Sequence, residues 1–186
     1  SLGPVEGWPQ SLRTCIRVLL TSRHPMFVWW GDELINLYND AYRSIVGARH
    51  PRALGAPAAE VWREIWGHIA PRVASAMNNN EGTYDESLLL VMERNGYREE
   101  TYHTFSYSPL DDGGRVTGML CVVTENTDRV LSERRMATLR ELAAALGPAR
   151  TETDVLAALR VELARNPLDL PYTLTYLFDD AENARL

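Results

Sequence analysis

The residues of this chain that could carry chemistry are few and scattered. Four histidines (His24, His50, His68, His103) and two cysteines (Cys15, Cys121) lie far apart in the sequence. Two thiols with no histidine cluster beside them make no zinc site, and free thiols in a reducing compartment are the default reading. Glu99 and Glu100 are neighbours on an expected strand, so they point to opposite faces and cannot cooperate as acid and base. Gly113-Gly114 reads as a turn rather than a phosphate cradle, and no Gly-x-Ser-x-Gly nucleophile motif is present. What remains is binding chemistry. His103, Phe105 and Tyr107 alternate along one strand and share a face, and a neutral imidazole there can both donate and accept a hydrogen bond. Tyr42, Trp62, Trp66 and Met77 are expected to meet that face from the helices. These seven side chains could line an apolar cavity holding a few polar atoms. They could equally fill it, with His103 a core residue satisfied by a backbone carbonyl or a water.

The elements that must position these residues follow from hydrophobic period. Leu12, Cys15, Ile16, Leu19 and Leu20 recur at helical spacing and predict an amphipathic helix over 9–22. Met26 to Trp30 and Leu34 to Tyr38 read as two short strands around Gly31-Asp32, after which Asn39 caps a helix from Asp40 to Val46 that stops at Gly47. Trp29 and Trp30 are adjacent, so only one faces the interior; the other needs a cover, for which the 9–22 helix, from the same or a partner chain, is the candidate. The Pro- and Gly-rich stretch 47–57 is a loop. A helix is expected from Ala58 to Trp66, with Trp62 and Trp66 on one face, broken by Gly67, and a second from Ile69 to Met77. Three strands follow: Thr83 to Arg94 with a buried run Leu88 to Met92, Tyr97 to Ser108 ended by Pro109, and Val116 to Thr124, with Asn95-Gly96 marking the first hairpin. From Asp128 the period returns to that of a helix reaching Leu146, and Leu139, Leu142 and Leu146 have the spacing of a helix-pairing seam. Thr151 and Asp154 resemble a capping box opening another helix, and Leu170 to Phe178 reads as a strand turned by Asp179-Asp180. The layout is α+β: a five-stranded antiparallel sheet with helices on one face, flanked by an N-terminal helix and a C-terminal connecting helix.

The chain has 186 residues and a formal net charge of −6, which argues against broad electrostatic binding to nucleic acid. No apolar run is long enough to span a bilayer, so the expectation is a cytoplasmic fragment with no membrane contact. The bounds at Ser1 and Leu186 suggest a piece of a longer protein.

Residues 25–127 resemble a PAS domain. The features that carry the resemblance are the Asn39-x-Ala41 helix start, the Gly96 hairpin, Phe105-Ser106-Tyr107-Ser108-Pro109-Leu110, the Asp-Gly turn before the last strand, and Glu125-Asn126-Thr127. The family usually has Asp-Ile-Thr at that triplet, so the ion-pair junction to the output helix is not carried over with the motif. Gly3-Pro4-x-x-Gly7-Trp8-Pro9 and the Trp29-Trp30 strand look like the N-terminal PAS domain of bacterial multidomain signalling proteins, and residues 151–186 resemble the first helix and strand of a GAF domain. The resemblance divides the chain into a lead-in helix (1–24), a PAS domain (25–127), a connecting helix (128–150) and the start of a GAF domain (151–186).

That resemblance implies a sensory and dimerisation module of a two-component sensor histidine kinase. A ligand or partner signal would leave through Glu125, Asn126 and Thr127 into the connecting helix. The alternatives are a purely structural dimerisation module with a filled core, or the input domain of a phosphatase or cyclase. The phosphoacceptor helix and nucleotide-binding motifs of a kinase are missing, so this fragment is not expected to be an enzyme. A homodimer through the N-terminal and connecting helices is expected, with a small molecule as the possible ligand. No cofactor is expected: His68 falls near a helix start, out of place for a haem ligand, and the helices before the third strand carry no cysteine for flavin photochemistry.

Overall fold

A computed structural model describes residues 2–178 together with 184 and 185. It divides into two compact units, residues 1–127 and 128–186. Among the described residues, no helix is long and apolar enough to cross a membrane.

The first unit is built on a five-stranded antiparallel sheet. Its strands are β1 (Met26–Trp30), β2 (Ile35–Tyr38), β3 (Thr83–Met92), β4 (Glu99–Asp112) and β5 (Arg115–Glu125), in the spatial order β2-β1-β5-β4-β3. β1 is buried on both faces, which is why all five of its residues are apolar. Phe27 and Trp29 enter the main core, under the short helices α2 (Arg43–Val46) and α3 (Ala58–Val61) and the longer α4 (Trp66–Asn79). Met26, Val28 and Trp30 face the other way and are covered by Leu12 and Leu19 of α1 (Gln10–Thr21). The cover predicted for one of the two tryptophans therefore comes from the same chain, and it is Trp30 that takes it. Gly118 of β5 lies opposite Trp30 in the ladder, and a Cβ there would come within 2.6 Å of the indole ring.

Asn39 ties these pieces together. Its Oδ1 accepts from the Tyr42 and Met26 amides, at 3.2 and 3.1 Å, and its Nδ2 donates to the carbonyls of Leu19 and His24, at 3.1 and 2.8 Å. The expected cap is present, and the same side chain also fixes the end of α1 and the start of β1. Gly47 ends α2 with φ of 61°, and a Cβ on it would meet Asn95 Oδ1 at 2.8 Å.

Four expectations need correction. The helix expected over 58–66 stops at Val61, and Gly67 lies inside the first turn of α4 rather than breaking a helix. Trp62 and Trp66 consequently sit on different elements. Leu88 to Met92 is not buried throughout: β3 is an edge strand with Leu90 and Met92 inward and Leu89 44% exposed, as period-2 alternation on a one-sided sheet requires. Pro109 does not end β4, because β3 stops pairing at Tyr107 and a proline beyond that point has no ladder bond to lose on that side.

The second unit holds α5 (Thr127–Leu146), α6 (Glu152–Leu163) and a two-residue pair, β6 (Leu177–Phe178) with β7 (Ala184–Arg185). α5 follows β5 with only Asn126 between them. Asp169 accepts from Arg134 at 2.8 and 2.9 Å, and Asn166 donates to Thr138 at 3.0 Å, fastening the chain after α6 to α5. The Thr151–Asp154 capping box is formed in both directions, at 3.1 and 3.0 Å. The strand expected over 170–178 is confined to Leu177–Phe178, because only there does the chain find a ladder partner among the described residues. The expected turn at Asp179-Asp180 lies outside the described residues.

Candidate functional site: an aromatic chamber beside the strand–helix junction

Between the sheet and helices α2–α4 lies a chamber with about 40 Å³ open to the centre of a water-sized sphere. That is room for one or a few waters, and a ring-sized molecule enters only where the surrounding side chains move. Period-2 alternation puts His103, Phe105 and Tyr107 of β4 on its floor, joined by Cys121 and Val123 of β5 and by Phe27 and Trp29 of β1. Leu90 and Met92 of β3 close one side. Tyr42 and Ile45 come from the first short helices, and Trp62, Ile65 and Ile69 from the α3–α4 segment. The rings are in close contact, with centroids 4.7 Å apart for Phe27 and Trp29 and 5.0 Å for Phe105 and Tyr107. The core is thus neither solid nor widely open: aromatic packing surrounds a small space.

Of the seven side chains expected to line a pocket, Tyr42, Trp62, His103, Phe105 and Tyr107 meet here. Trp66 and Met77 do not. Trp66 is half-buried at the start of α4 and packs on Trp29 at 5.9 Å, a consequence of the break after Val61. Met77 lies near the C-terminal end of α4, beside Asp32 and Val116. Val116 pairs with Asp111, at the end of the β4–β5 ladder remote from His103.

The polar atoms of the chamber are under-partnered. Trp62 Nε1 and both ring nitrogens of His103 are buried with no hydrogen-bond partner among the described residues. By contrast Trp29 Nε1 donates to Asn36 Oδ1 at 2.9 Å, and Asn36 Nδ2 donates to the Ala53 carbonyl at 3.1 Å, which pins the 47–57 loop to the sheet. No backbone carbonyl among the described residues partners His103, which leaves a water or another bound molecule as its partner. Burial pushes the His103 pKa down to about 4, with Arg94 adding to the shift and Glu125 opposing it, so the ring is neutral near pH 7. Burial likewise pushes the Tyr42 and Tyr107 hydroxyls and the Cys121 thiol well up.

His103 is also where the chamber reaches the end of the sheet. Its Nε2 is 3.9 Å from Glu125 Oε2, and the two residues are partners in the β4–β5 ladder. Glu125 accepts from both terminal nitrogens of Arg94, at 2.7 and 2.8 Å. Burial raises the Glu125 pKa, but the Arg94 hydrogen bonds and charge outweigh it and hold the carboxyl below its ordinary value. Thr127 Oγ1 donates to Glu125 Oε1 at 3.0 Å and accepts from the Tyr102 amide at 3.0 Å, while the Asn126 amide donates to the Tyr102 carbonyl at 2.7 Å. An ion pair at the head of α5 therefore exists in spite of the altered triplet. Sequence reasoning missed Arg94 and Tyr102. Arg94 immediately precedes the Asn95-Gly96 turn, which was the available signal.

The family described as PAS fold matches residues 22–131. This chain belongs to that family. The PAS domain resembles solved structures at the level of fold alone. The Rhodobacter sphaeroides LOV protein is 14% identical, with a TM-score of 0.53 over 86% of this chain and 94% of that one. An RNA-binding Light-Oxygen-Voltage receptor is 19% identical, with a TM-score of 0.50 over 80% of this chain, which spans 43% of the receptor's length. No curated protein matches the sequence.

The helices before β3 lack the thiol that covalent flavin photochemistry needs. α4, the helix before β3, carries no cysteine; Cys15 is on α1 and Cys121 on β5. A three-ring isoalloxazine also exceeds a space of about 40 Å³ unless the surrounding aromatic side chains move. His68 is exposed on α4, His24 is exposed, and His50 pairs with the Tyr38 hydroxyl at 2.9 Å. None of these three lines the chamber.

Proposed function

We propose that this PAS domain is a non-enzymatic sensory module that takes a small molecule into the aromatic chamber and passes its presence to α5. One observation carries the reading: a buried, unpartnered His103 stands between the chamber and the Arg94–Glu125–Thr127 cluster at the head of that helix. An unsatisfied polar group in a core destabilises the fold, and a water resident in the chamber, or a ligand that displaces it, satisfies this one. The parent protein on this reading is a bacterial sensor histidine kinase of a two-component phosphorelay. α5 is its connecting helix and residues 151–186 begin a GAF domain. The exposed Met136 and Leu139 and the half-buried Leu142 and Leu146 of α5 suit pairing with a second copy.

Native mass spectrometry and an absorbance scan of the purified protein test for a co-purified molecule. Inserting one residue after Thr127 in the full-length protein tests the relay, because one residue rotates every later side chain of a helix by about 100°. Loss of regulated output is the expected result, and unchanged output sinks the proposal.

A second reading is a structural dimerisation module whose core needs no ligand. The close ring packing around the chamber favours it. Full retention of output regulation by variants that fill the chamber would decide for it.

A further inference from the structure

The unpartnered polar groups of the chamber differ in what they ask of a ligand. Trp62 Nε1 can only donate. A neutral imidazole must choose, because it carries one proton on one of two nitrogens. For His103 the two choices are unequal at the junction. Nε2 stands 3.9 Å from Glu125 Oε2, a carboxylate that Arg94 keeps ionised and that can only accept. With the proton on Nε2, an N–H faces that acceptor. With the proton on Nδ1, a lone pair faces a negative charge.

Nδ1 has no partner among the described residues, so the preference for Nε2–H rests on Glu125 alone, across 3.9 Å, and a ligand at Nδ1 can strengthen it or reverse it. A ligand that donates to Nδ1 drives the proton to Nε2 and turns it toward Glu125. A ligand that only accepts draws the proton to Nδ1 and leaves the lone pair against the carboxylate. Beyond Glu125 the hydrogen bonds continue through Thr127 Oγ1 to the Tyr102 amide, at the first residue of α5. No charged side chain lines the chamber, so a charged ligand would lose its hydration without gaining a counter-ion.

Building on the sensory reading above, we infer that the chamber selects compact, uncharged molecules bearing an N–H or O–H donor, and that this donor, by setting the His103 tautomer, tightens the Glu125–Thr127 junction. The responding element is the imidazole itself, and no backbone movement is required at the first step.

Two isomers of one volume provide the test, each larger than the open space and so entering by displacing side chains that line the chamber. 4-Methylpyrazole and 1-methylpyrazole are both neutral at pH 7 and both carry an acceptor nitrogen, but only the first has an N–H. The unaltered chain, labelled with ¹⁵N-histidine, is titrated with each in turn. 4-Methylpyrazole is expected to bind about tenfold more tightly, the value of one buried hydrogen bond. It is also expected to move the His103 nitrogen pair to the Nε2–H pattern and to slow amide exchange at Asn126 and Thr127. 1-Methylpyrazole is expected to do neither.

Equal affinity for the two isomers, or 4-methylpyrazole bound with His103 in the Nδ1–H form, overturns the donor relay while leaving the chamber as a binding site. Failure of both isomers to bind up to their solubility limit also overturns this inference, and the co-purification and insertion experiments then decide the sensory role separately. A His103→Phe variant serves as a second arm on the same titration: it should bind the two isomers alike, and a retained preference for 4-methylpyrazole counts against the inference.

Discussion

His103 makes the first unit pH-sensitive in a direction that can be worked out. Its pKa falls from 6.5 to about 4 on folding, so between those values the unfolded chain binds the proton and the folded chain does not. Stability is therefore fully present above about pH 6.5 and is lost as pH falls toward 4, by a total of about 3 kcal/mol. Glu125 is depressed in the folded state, so its contribution is present above its unfolded value and is lost at lower pH than that of His103. Denaturant titrations of His103→Phe across pH 7 to 4 are expected to show this slope removed. The variant should be no less stable at pH 7, because an apolar ring replaces an unpartnered polar one. Arg94 behaves oppositely. Arg94→Ala strands Glu125, half-buried beside His103, and is expected to cost about 3 kcal/mol, with faster amide exchange at Asn126 and Thr127 as the local readout. Both effects depend on a pair of residues rather than on either alone. That is why His103 was legible in sequence as an inward-facing residue but not as the neighbour of a junction carboxylate.

At the scale of elements, α1 and β1 form a second small core on the outer face of the sheet. Leu12 is fully buried and Leu19 is 1% exposed against Val28 and Trp30. Leu19→Ala is expected to cost about 2–5 kcal/mol and to shift Trp30 fluorescence to the red as the helix loosens. Gly118→Ala attacks the same contact from the sheet, since its Cβ would meet both the Trp30 ring and the Trp29 carbonyl, the latter at 2.7 Å. The expected penalty is about 1–3 kcal/mol, measured by thermal or urea unfolding. The role of α1 could be read from its own apolar stripe together with the doubled tryptophan. Gly118 could not, because nothing local in Val116 to Leu120 says which residue lies across the ladder.

The chain divides into two compact units, residues 1–127 and 128–186, and their stabilities should separate. Arg134 and the Asn166 amide hold Asp169 well below the usual carboxylate range. Asp169→Asn removes that anchor and is expected to raise hydrogen exchange along α5 and α6 while leaving β1 to β5 protected. Exchange spreading evenly into the sheet would show that the two units unfold as one. The second unit exposes much of its apolar surface, including Met136 and Leu139 of α5 and Tyr172 and Leu174 after α6.

The sequence by itself determined the element order, the α+β class, the Asn39 cap, the Thr151–Asp154 capping box and the inward face of β4. Each of these is a local pattern: a period, a cap or a turn pair. Only the tertiary structure decided that α3 stops at Val61 and takes Trp66 out of the chamber, that Pro109 is tolerated inside β4, and that Arg94 and Glu125 restore an ion pair absent from the motif. It also decided that His103 has no partner among the described residues. Each of these depends on what lies across a ladder or behind a sheet, and chain-local spacing does not encode which side chains, many residues apart, come to share one small space.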